Sequence, residues 1–263
     1  MSIFTVTTVA DASPLVISVP HDGTHMAPGM VARLQPYAVA CPDRDHLIAE
    51  VFDFADLPHV RIKAEFSRYV VDLNRPAEGG ALYPGQSETG VCPLSGFDNR
   101  PLYRPGQEPD KDEIKQRIER YWQPYHDELA RLIDQAKDRF GFCVLIDGHS
   151  IDDVVPRFFE GTLPNINVGT FGGQSCADRY QNVITDALQH QDRYSWVIND
   201  RFKGGYITRH YGQPGNNIHA IQLEHAKSIY ACDLRNLSPA AKTLTKFWKN
   251  TFKRLLSLEK KRA

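Results

Sequence analysis

Three short apolar runs in this chain each give way to residues that bind metals or carry protons. Leu15-Val16-Ile17-Ser18-Val19 leads into Pro20-His21-Asp22-Gly23, Phe142-Cys143-Val144-Leu145-Ile146 into Asp147-Gly148-His149-Ser150, and His219-Ala220-Ile221-Gln222-Leu223 into Glu224-His225. Short, nearly continuous apolar runs are the pattern of strands buried on both faces, as in a parallel sheet. Parallel strands end on a common rim, and open α/β sheets bind ligands at that rim. Two histidines and a glutamate delivered there from distant parts of the chain point to a metal hydrolase site.

The segments between these runs alternate strand and helix. Asp45 opens an amphipathic stretch through Ala55, with Leu47, Ile48, Val51, Phe52 and Ala55 on one side. His59 to Lys63 reads as a strand, and Phe66 to Leu73, β-branched and aromatic at its centre, as another. Residues 76–109 are rich in Pro and Gly, and Leu82, Tyr83, Phe97, Leu102 and Tyr103 mark them as a packed functional loop. Residues 110–140 hold a 3.6-residue apolar period, which Pro124 should kink or split and Gly141 should stop. A short strand at Ile166 to Gly169, a helix from Asp178 to Gln189 and a strand at Tyr194 to Ile198 follow. Arg201 to Gly215 is a second glycine-rich loop. Ser238-Pro239 should open a final helix running to about Glu259, with a lysine-rich solvated side. The expected fold is α/β: one domain, residues 1–263, with a mostly parallel mixed sheet flanked by helices on both faces.

Composition excludes some functions. With 31 basic against 32 acidic residues, no bulk field favours nucleic acid or an anionic membrane. No apolar run approaches the roughly 20 residues of a membrane span. The first 13 residues lack the cationic and apolar regions of a signal peptide. The cysteines, Cys41, Cys92, Cys143, Cys176 and Cys232, are odd in number with no CxxC spacing, as expected of free thiols in a reducing cytosol. The expectation is a cytoplasmic protein acting on a small molecule, with no nucleic-acid, membrane or protein partner implied.

A catalytic zinc site keeps three protein ligands and one position for water. His21 and His149, each read as lying in a glycine-containing turn after a strand, are the first two candidates. Asp45, within Asp43-Arg44-Asp45-His46, either completes the set or caps a helix; Asp43 suits a cap or a supporting partner, and His25 and His46 are alternatives. Glu224 suits the general base that takes a proton from water activated by the metal. In Ser67-Arg68-Tyr69-Val70-Val71-Asp72-Leu73-Asn74-Arg75-Pro76, a strand would put Arg68, Val70 and Asp72 on one face, and Arg75 can fork onto a carboxylate. Arg209 in the second glycine-rich loop offers another cation. No phosphate-binding glycine loop follows a strand, and no Gly-x-Ser-x-Gly occurs.

Taken together and in order, these segments resemble the N-formylglutamate deformylase (amidohydrolase) family. Those carrying the resemblance are Ser18 through Thr24, Asp43 through His46, Ser67 through Pro76, Leu82-Tyr83-Pro84-Gly85-Gln86, Thr89-Gly90-Val91-Cys92-Pro93, Asp147 through Ser150, Phe202 through Thr208 and Gln222-Leu223-Glu224. The resemblance implies a zinc exopeptidase-like fold, shared with metallocarboxypeptidases, aspartoacylase and peptidoglycan amidases. It implies that Glu224 is the catalytic glutamate, that Arg68 polarises the scissile carbonyl, and that Asn74 and Arg75 hold a substrate carboxylate. Arg209, the cation of the second glycine-rich loop, is the further candidate for binding the substrate's carboxylates. Metallocarboxypeptidases take two ligands from His-x-x-Glu; here Thr24 stands at the Glu position, so the second ligand comes from elsewhere, which supports Asp45. The expected reaction is metal-dependent hydrolysis of N-formyl-L-glutamate to L-glutamate and formate in histidine degradation, with zinc held by His21, Asp45 and His149. The alternatives are another N-acyl-amino-acid or peptidoglycan amide hydrolase, and a non-catalytic module that binds acidic metabolites.

Overall fold

The computed structural model describes residues 2–9, 13–82 and 84–260. Seven strands form one sheet: β1 (Phe4–Val9), β2 (Leu15–Val19), β3 (His59–Ala64), β4 (Cys143–Ile151), β5 (Ile166–Gly169), β6 (Trp196–Ile198) and β7 (Ile218–Ala226), in the order β1-β3-β2-β4-β7-β5-β6. The three apolar runs become β2, β4 and β7, parallel neighbours at the centre of the sheet. β2 also pairs parallel with β3, and β5 with β6, while β1–β3 and β5–β7 are antiparallel. The sheet is mixed and mostly parallel, as expected.

Helices cover both faces: α1 (Met30–Arg33), α2 (Ile48–Val51), α3 (Lys111–Arg117), α4 (Gln123–Phe140), α5 (Asp178–Gln189), α6 (Tyr206–Tyr211) and α7 (Ala241–Lys260). On one face Leu15, Ile17, Val144, Ile146, Ile221 and Leu223 pack with Ile184 of α5 and with Leu244, Trp248 and Phe252 of α7. On the other, Val16, Cys143, Leu145, Ile218 and Ala220 pack with Tyr125, Leu129 and Ile133 of α4. Each such fully buried side chain contributes about 2 kcal/mol of transfer free energy.

The helix over 110–140 splits where Pro124 requires it. Asp110 caps α3 by accepting from the Glu113 amide at 2.8 Å, a π-helical turn at Ile118–Trp122 absorbs the break, and α4 restarts with Pro124 in its first turn, where no amide donor is needed. Gly141, at φ 79°, ends α4 in the left-handed conformation that glycine adopts at low cost.

Four expectations change. Phe66 to Leu73 is not a strand: the Ser67 hydroxyl accepts from the Tyr69 amide (3.1 Å) and Asp72 Oδ1 from the Asn74 amide (2.9 Å), so two side-chain-closed turns replace extended backbone. The amphipathic stretch from Asp45 is helical only at Ile48–Val51. The glycine-rich loop contains α6. α7 begins at Ala241, and the buried Ser238 hydroxyl makes no capping bond. β1, which pairs along the sheet edge, is an additional strand; its alternating Phe4-Thr5-Val6-Thr7-Thr8-Val9 is half-exposed and lacks a continuous apolar run.

In the loop at 76–109, Phe97, Leu102 and Tyr103 are buried, whereas residues 78–81 and 84–87 are exposed; Tyr83 lies outside the described residues. Cys41, Cys92, Cys143, Cys176 and Cys232 are all free thiols. Among the described residues no helix is long and apolar enough to cross a membrane.

Candidate metal centre

β4 and β7 do not end where their apolar runs end. Both are nine residues long, and the face toward α4 changes character along its length. Along β4 that face reads Cys143, Leu145, Asp147, His149; along β7 it reads Ile218, Ala220, Gln222, Glu224. The period of two alternates faces, so the first two positions join the apolar layer under α4 and the last two form a polar ledge. The parallel register sets Asp147 beside Gln222 and His149 beside Glu224. His149 therefore lies within a strand rather than in a turn, and Glu224 likewise. His21 sits just past the end of β2, in a turn that grips its neighbour: a Cβ on Gly23 would come within 2.2 Å of the Phe66 carbonyl oxygen, so only glycine fits.

His21, Asp45 and His149 converge. Each is buried, and one ligand atom from each lies within 4.8 Å of the other two. The imidazole centroids are 4.9 Å apart. Asp45 Oδ2 lies 3.2 Å from His149 Nδ1 and 3.7 Å from His21 Nδ1, and it accepts from the Ser150 amide at 3.0 Å. His25 and His46 are not part of this group.

Both rings face the centre with Nδ1; at Nε2 His21 is hydrogen-bonded to an aspartate, whereas His149 lies between an aspartate and the Asn74 side-chain amide, 2.9 Å away. His21 Nε2–H donates to Asp72 Oδ1 at 2.8 Å; His149 Nε2 lies 3.0 Å from Asp147 Oδ1. An aspartate behind a ligating imidazole fixes its tautomer and raises its basicity. A third brace runs through the backbone, where Trp248 donates to His225 Nε2 (2.8 Å) and His225 Nδ1–H donates to the His149 carbonyl (2.9 Å).

The donor set fits a divalent cation. His21 Nδ1 is buried and has no hydrogen-bond partner, an expensive arrangement unless a ligand completes it. Two imidazole nitrogens and one carboxylate oxygen suit zinc with an open position. The electrostatics agree. Burial opposes charge on His149, but the carboxylate of Asp147, its contact with Asp45 and the charge of Glu224 hold the ring well above its ordinary value. Burial likewise opposes charge on Asp45, yet contacts with His149 and His21 and the charge of Arg68 keep its carboxyl well below the usual range. The site is built to hold positive charge at its centre.

Glu224 stands beside these side chains, buried and accepting from the Gln222 side-chain amide at 3.1 Å, on the same face of β7 two residues away. Burial, reinforced by the charge of Asp45 and opposed by His149, pushes its carboxyl up to about 7. A carboxyl tuned near neutrality can take and return a proton.

Arg68 is pinned beneath the site by Asp72 Oδ2 (2.9 Å) and Asp45 Oδ1 (3.3 Å) and lies 4.7 Å from the Phe97 ring centroid. Against the cost of burial, Asp72, Asp45 and Asp43 hold it charged. Asp43 is a support: its Oδ2 accepts from the Tyr69 hydroxyl (2.6 Å) and the Phe97 amide (2.9 Å). Asn74 donates to Asp147 Oδ2 (3.1 Å), and its Oδ1 accepts from the Ile207 amide (2.8 Å). Arg75 is braced on the carbonyls of Thr89 (2.9 Å) and Asn74 (3.1 Å).

His21, Asp45 and His149 open onto one cavity of about 60 Å³, lined also by Arg68, Asn74, Arg75 and Glu224, which we call its wall, and by Phe97, Phe158, Arg201 and Phe202, which we call its roof. Arg209 is not among its lining residues; it grips the carbonyls of Gly204 (2.8 Å) and Leu82 (2.7 Å). Three contributors went unassigned in the sequence: Asp147 and Asp72 behind the imidazoles, and Arg201 in the roof. The aspartates carried a signal, since each sits inside a motif that also supplies a site residue. Arg201 carried none.

The profile of the N-formylglutamate amidohydrolase family matches residues 13–231. N-formylglutamate deformylases of Pseudomonas putida and Pseudomonas aeruginosa PAO1 are each 44% identical to this chain, over 222 and 218 residues, covering 82% of it and 81% and 82% of their own lengths. The crystal structure of N-formylglutamate amidohydrolase from Ralstonia eutropha JMP134 superposes with a TM-score of 0.82 at 20% identity over the full length of both chains. A gene product of Agrobacterium tumefaciens superposes with a TM-score of 0.73 at 17% identity, over 98% of this chain and 96% of the other. At those identities the two structures establish the fold alone.

Proposed function

The chain belongs to the N-formylglutamate amidohydrolase family, and on that premise we propose that it hydrolyses N-formyl-L-glutamate to L-glutamate and formate. The observation that carries this reading is the buried convergence of His21, Asp45 and His149 beside Glu224 in a chain of this family.

His21, Asp45 and His149 would hold a divalent cation, and zinc is the ion that two imidazoles and one carboxylate suit. Such an ion supplies Lewis acidity to the formyl carbonyl and to water. Glu224 accepts a proton from the attacking water as its oxygen bonds to the formyl carbon. The C–N bond then breaks, and Glu224 passes the proton to the departing amine, so formate and the free amino acid leave. Arg68 faces the developing negative charge on the formyl oxygen and is already oriented by Asp45 and Asp72. Asn74 and Arg75 receive a substrate carboxylate, and Arg209 supports substrate binding by holding the Gly204 carbonyl in the roof. Gly205 packs on Asn74 so closely that a Cβ would come within 2.4 Å of its amide nitrogen, which couples that roof segment to the wall.

In this reading one domain, residues 1–263, carries the activity in the cytoplasm, on a small-molecule substrate, as the closing step of one histidine-degradation route. The test is product release from N-formyl-L-glutamate, N-formyl-L-aspartate and N-acetyl-L-glutamate side by side. Fastest turnover, as formate, from N-formyl-L-glutamate is expected. Faster acetate release would indicate another N-acyl hydrolase, and tight glutamate binding without hydrolysis would indicate a binding module.

A further inference from the structure

The substrate of the proposed reaction carries two carboxylates, one on the carbon bonded to the amide nitrogen and one at the end of the side chain. Buried carboxylates need charged or hydrogen-bonding partners, so each requires its own receiver. Among the described residues the arginines that line the cavity are Arg68, Arg75 and Arg201. Arg68 is balanced by Asp45 and Asp72. Arg75 belongs to the wall, where its guanidinium donates to the carbonyl of Asn74, the residue whose Nδ2 lies 2.9 Å from His149 Nε2, and to that of Thr89. Arg201 belongs to the roof, where it donates to the carbonyls of Phe158 and Ser87 and lies 5.6 and 5.3 Å from the Phe158 and Phe202 ring centroids.

The arch that carries Arg201 is held at both ends. Asn199 adopts φ 54°, a left-handed conformation that asparagine tolerates, and its Oδ1 accepts from the amides of Thr170 (2.8 Å) and Gly172 (3.2 Å). At the other end, residues 203–204 pack on Gly169, where a Cβ would come within 2.6 Å of the Gly204 nitrogen. Glu88 also lines the cavity, and its Oε2 accepts from the Leu82 amide.

We propose that Arg201 is the specificity-determining residue that receives the side-chain carboxylate of the substrate, while Arg75 receives the carboxylate next to the amide. This rests on the proposed deformylase reading and deepens it. Arg201 acts on which amino acid is accepted; it takes no part in bond breaking. Its partner is any N-formyl amino acid whose side chain ends in an anion at the reach of glutamate.

The experiment compares kcat/KM for N-formyl-L-glutamate and its neutral isostere N-formyl-L-glutamine in the wild type, Arg201→Gln, Arg201→Lys and Arg209→Gln, with folding checked by circular dichroism. In Arg201→Gln the glutamate substrate should lose about 100-fold in kcat/KM, chiefly through KM, as expected when one partner of a desolvated charge pair is removed. The glutamine substrate should stay within about threefold, and Arg201→Lys should recover part of the preference. Equal losses on both substrates in Arg201→Gln, or a preference that survives there and collapses in Arg209→Gln, would overturn the assignment. A wild type that hydrolyses neither substrate would instead overturn the deformylase reading itself.

Discussion

The floor and the roof of the cavity are built on different principles. In the floor, each functional side chain is held by another buried charged or polar side chain: His21 by Asp72, Arg68 by Asp45 and Asp72, Glu224 by Gln222. In and around the roof, arginines hold backbone carbonyls and hydroxyls: Arg201 donates to the carbonyls of Phe158 and Ser87, and, outside the cavity lining, Arg157 donates to the Ser95 hydroxyl and the Gly96 carbonyl, and Arg209 to the carbonyls of Gly204 and Leu82. A buried ionic network tolerates no missing partner, because the remaining charge is left uncompensated. Arginine-to-carbonyl clamps at a wet rim are individually weaker and can be retuned. On the proposed reading, chemistry belongs to the floor and substrate choice to the roof.

This contrast can be broken or sharpened in descending steps of effect. Glu224→Gln should lower kcat about 1,000-fold, within the range for removing a general base, while metal content per chain stays unchanged. Near-normal turnover would remove Glu224 from the mechanism. Asp72→Asn should weaken divalent-metal affinity about 10- to 100-fold, the cost of losing the aspartate behind a ligating imidazole, read by competition with a chromophoric chelator. An unchanged affinity would make Asp72 a partner of Arg68 alone.

Acid stability is the third step. His126 donates from Nε2 to the Leu73 carbonyl at 2.9 Å and so ties α4 to the turn that bears Asp72 and Asn74. Burial holds it neutral, its value pushed down to about 3. An unfolded histidine titrates near 6.5, so between those values the unfolded chain binds the extra proton and stability falls as pH falls, by about 1.4 kcal/mol per pH unit. Urea unfolding from pH 7 to pH 4 should show that slope reduced by one proton in His126→Gln; parallel curves would contradict a neutral native His126. The smallest step is beside the roof. Arg157→Met should raise KM about five-fold with little change in kcat, matching the loss of about 1 kcal/mol of hydrogen bonding at a partly exposed clamp. A kcat loss as large as that of Glu224→Gln would erase the distinction between floor and roof.

The sequence announced the floor far better than the roof. β2, β4 and β7 were legible because strands buried on both faces must be apolar almost throughout, and His21, His149 and Glu224 fall where that pattern breaks, whereas Asp45 lies well past β2. What the pattern hid is that β4 and β7 run on past their apolar stretches, so His149 and Glu224 stay inside strands. The turns at Ser67 and Asp72 were read as a strand because β-branched and aromatic content outweighed two side chains that close their own backbone. Pro124 and Gly141 were correct signs because both act locally. Arg201 could not be assigned, since its place depends on contacts with Phe158 and Ser87, 43 and 114 residues away in the chain.

The central claim is that His21, Asp45 and His149 form one metal site, and calorimetric titration of chelator-stripped protein with zinc tests it most directly. The wild type and Glu224→Gln should each bind one ion per chain at this site, and His21→Ala and His149→Ala should lose that binding while remaining folded. Wild-type zinc affinity in a folded chain lacking both histidines would contradict the account.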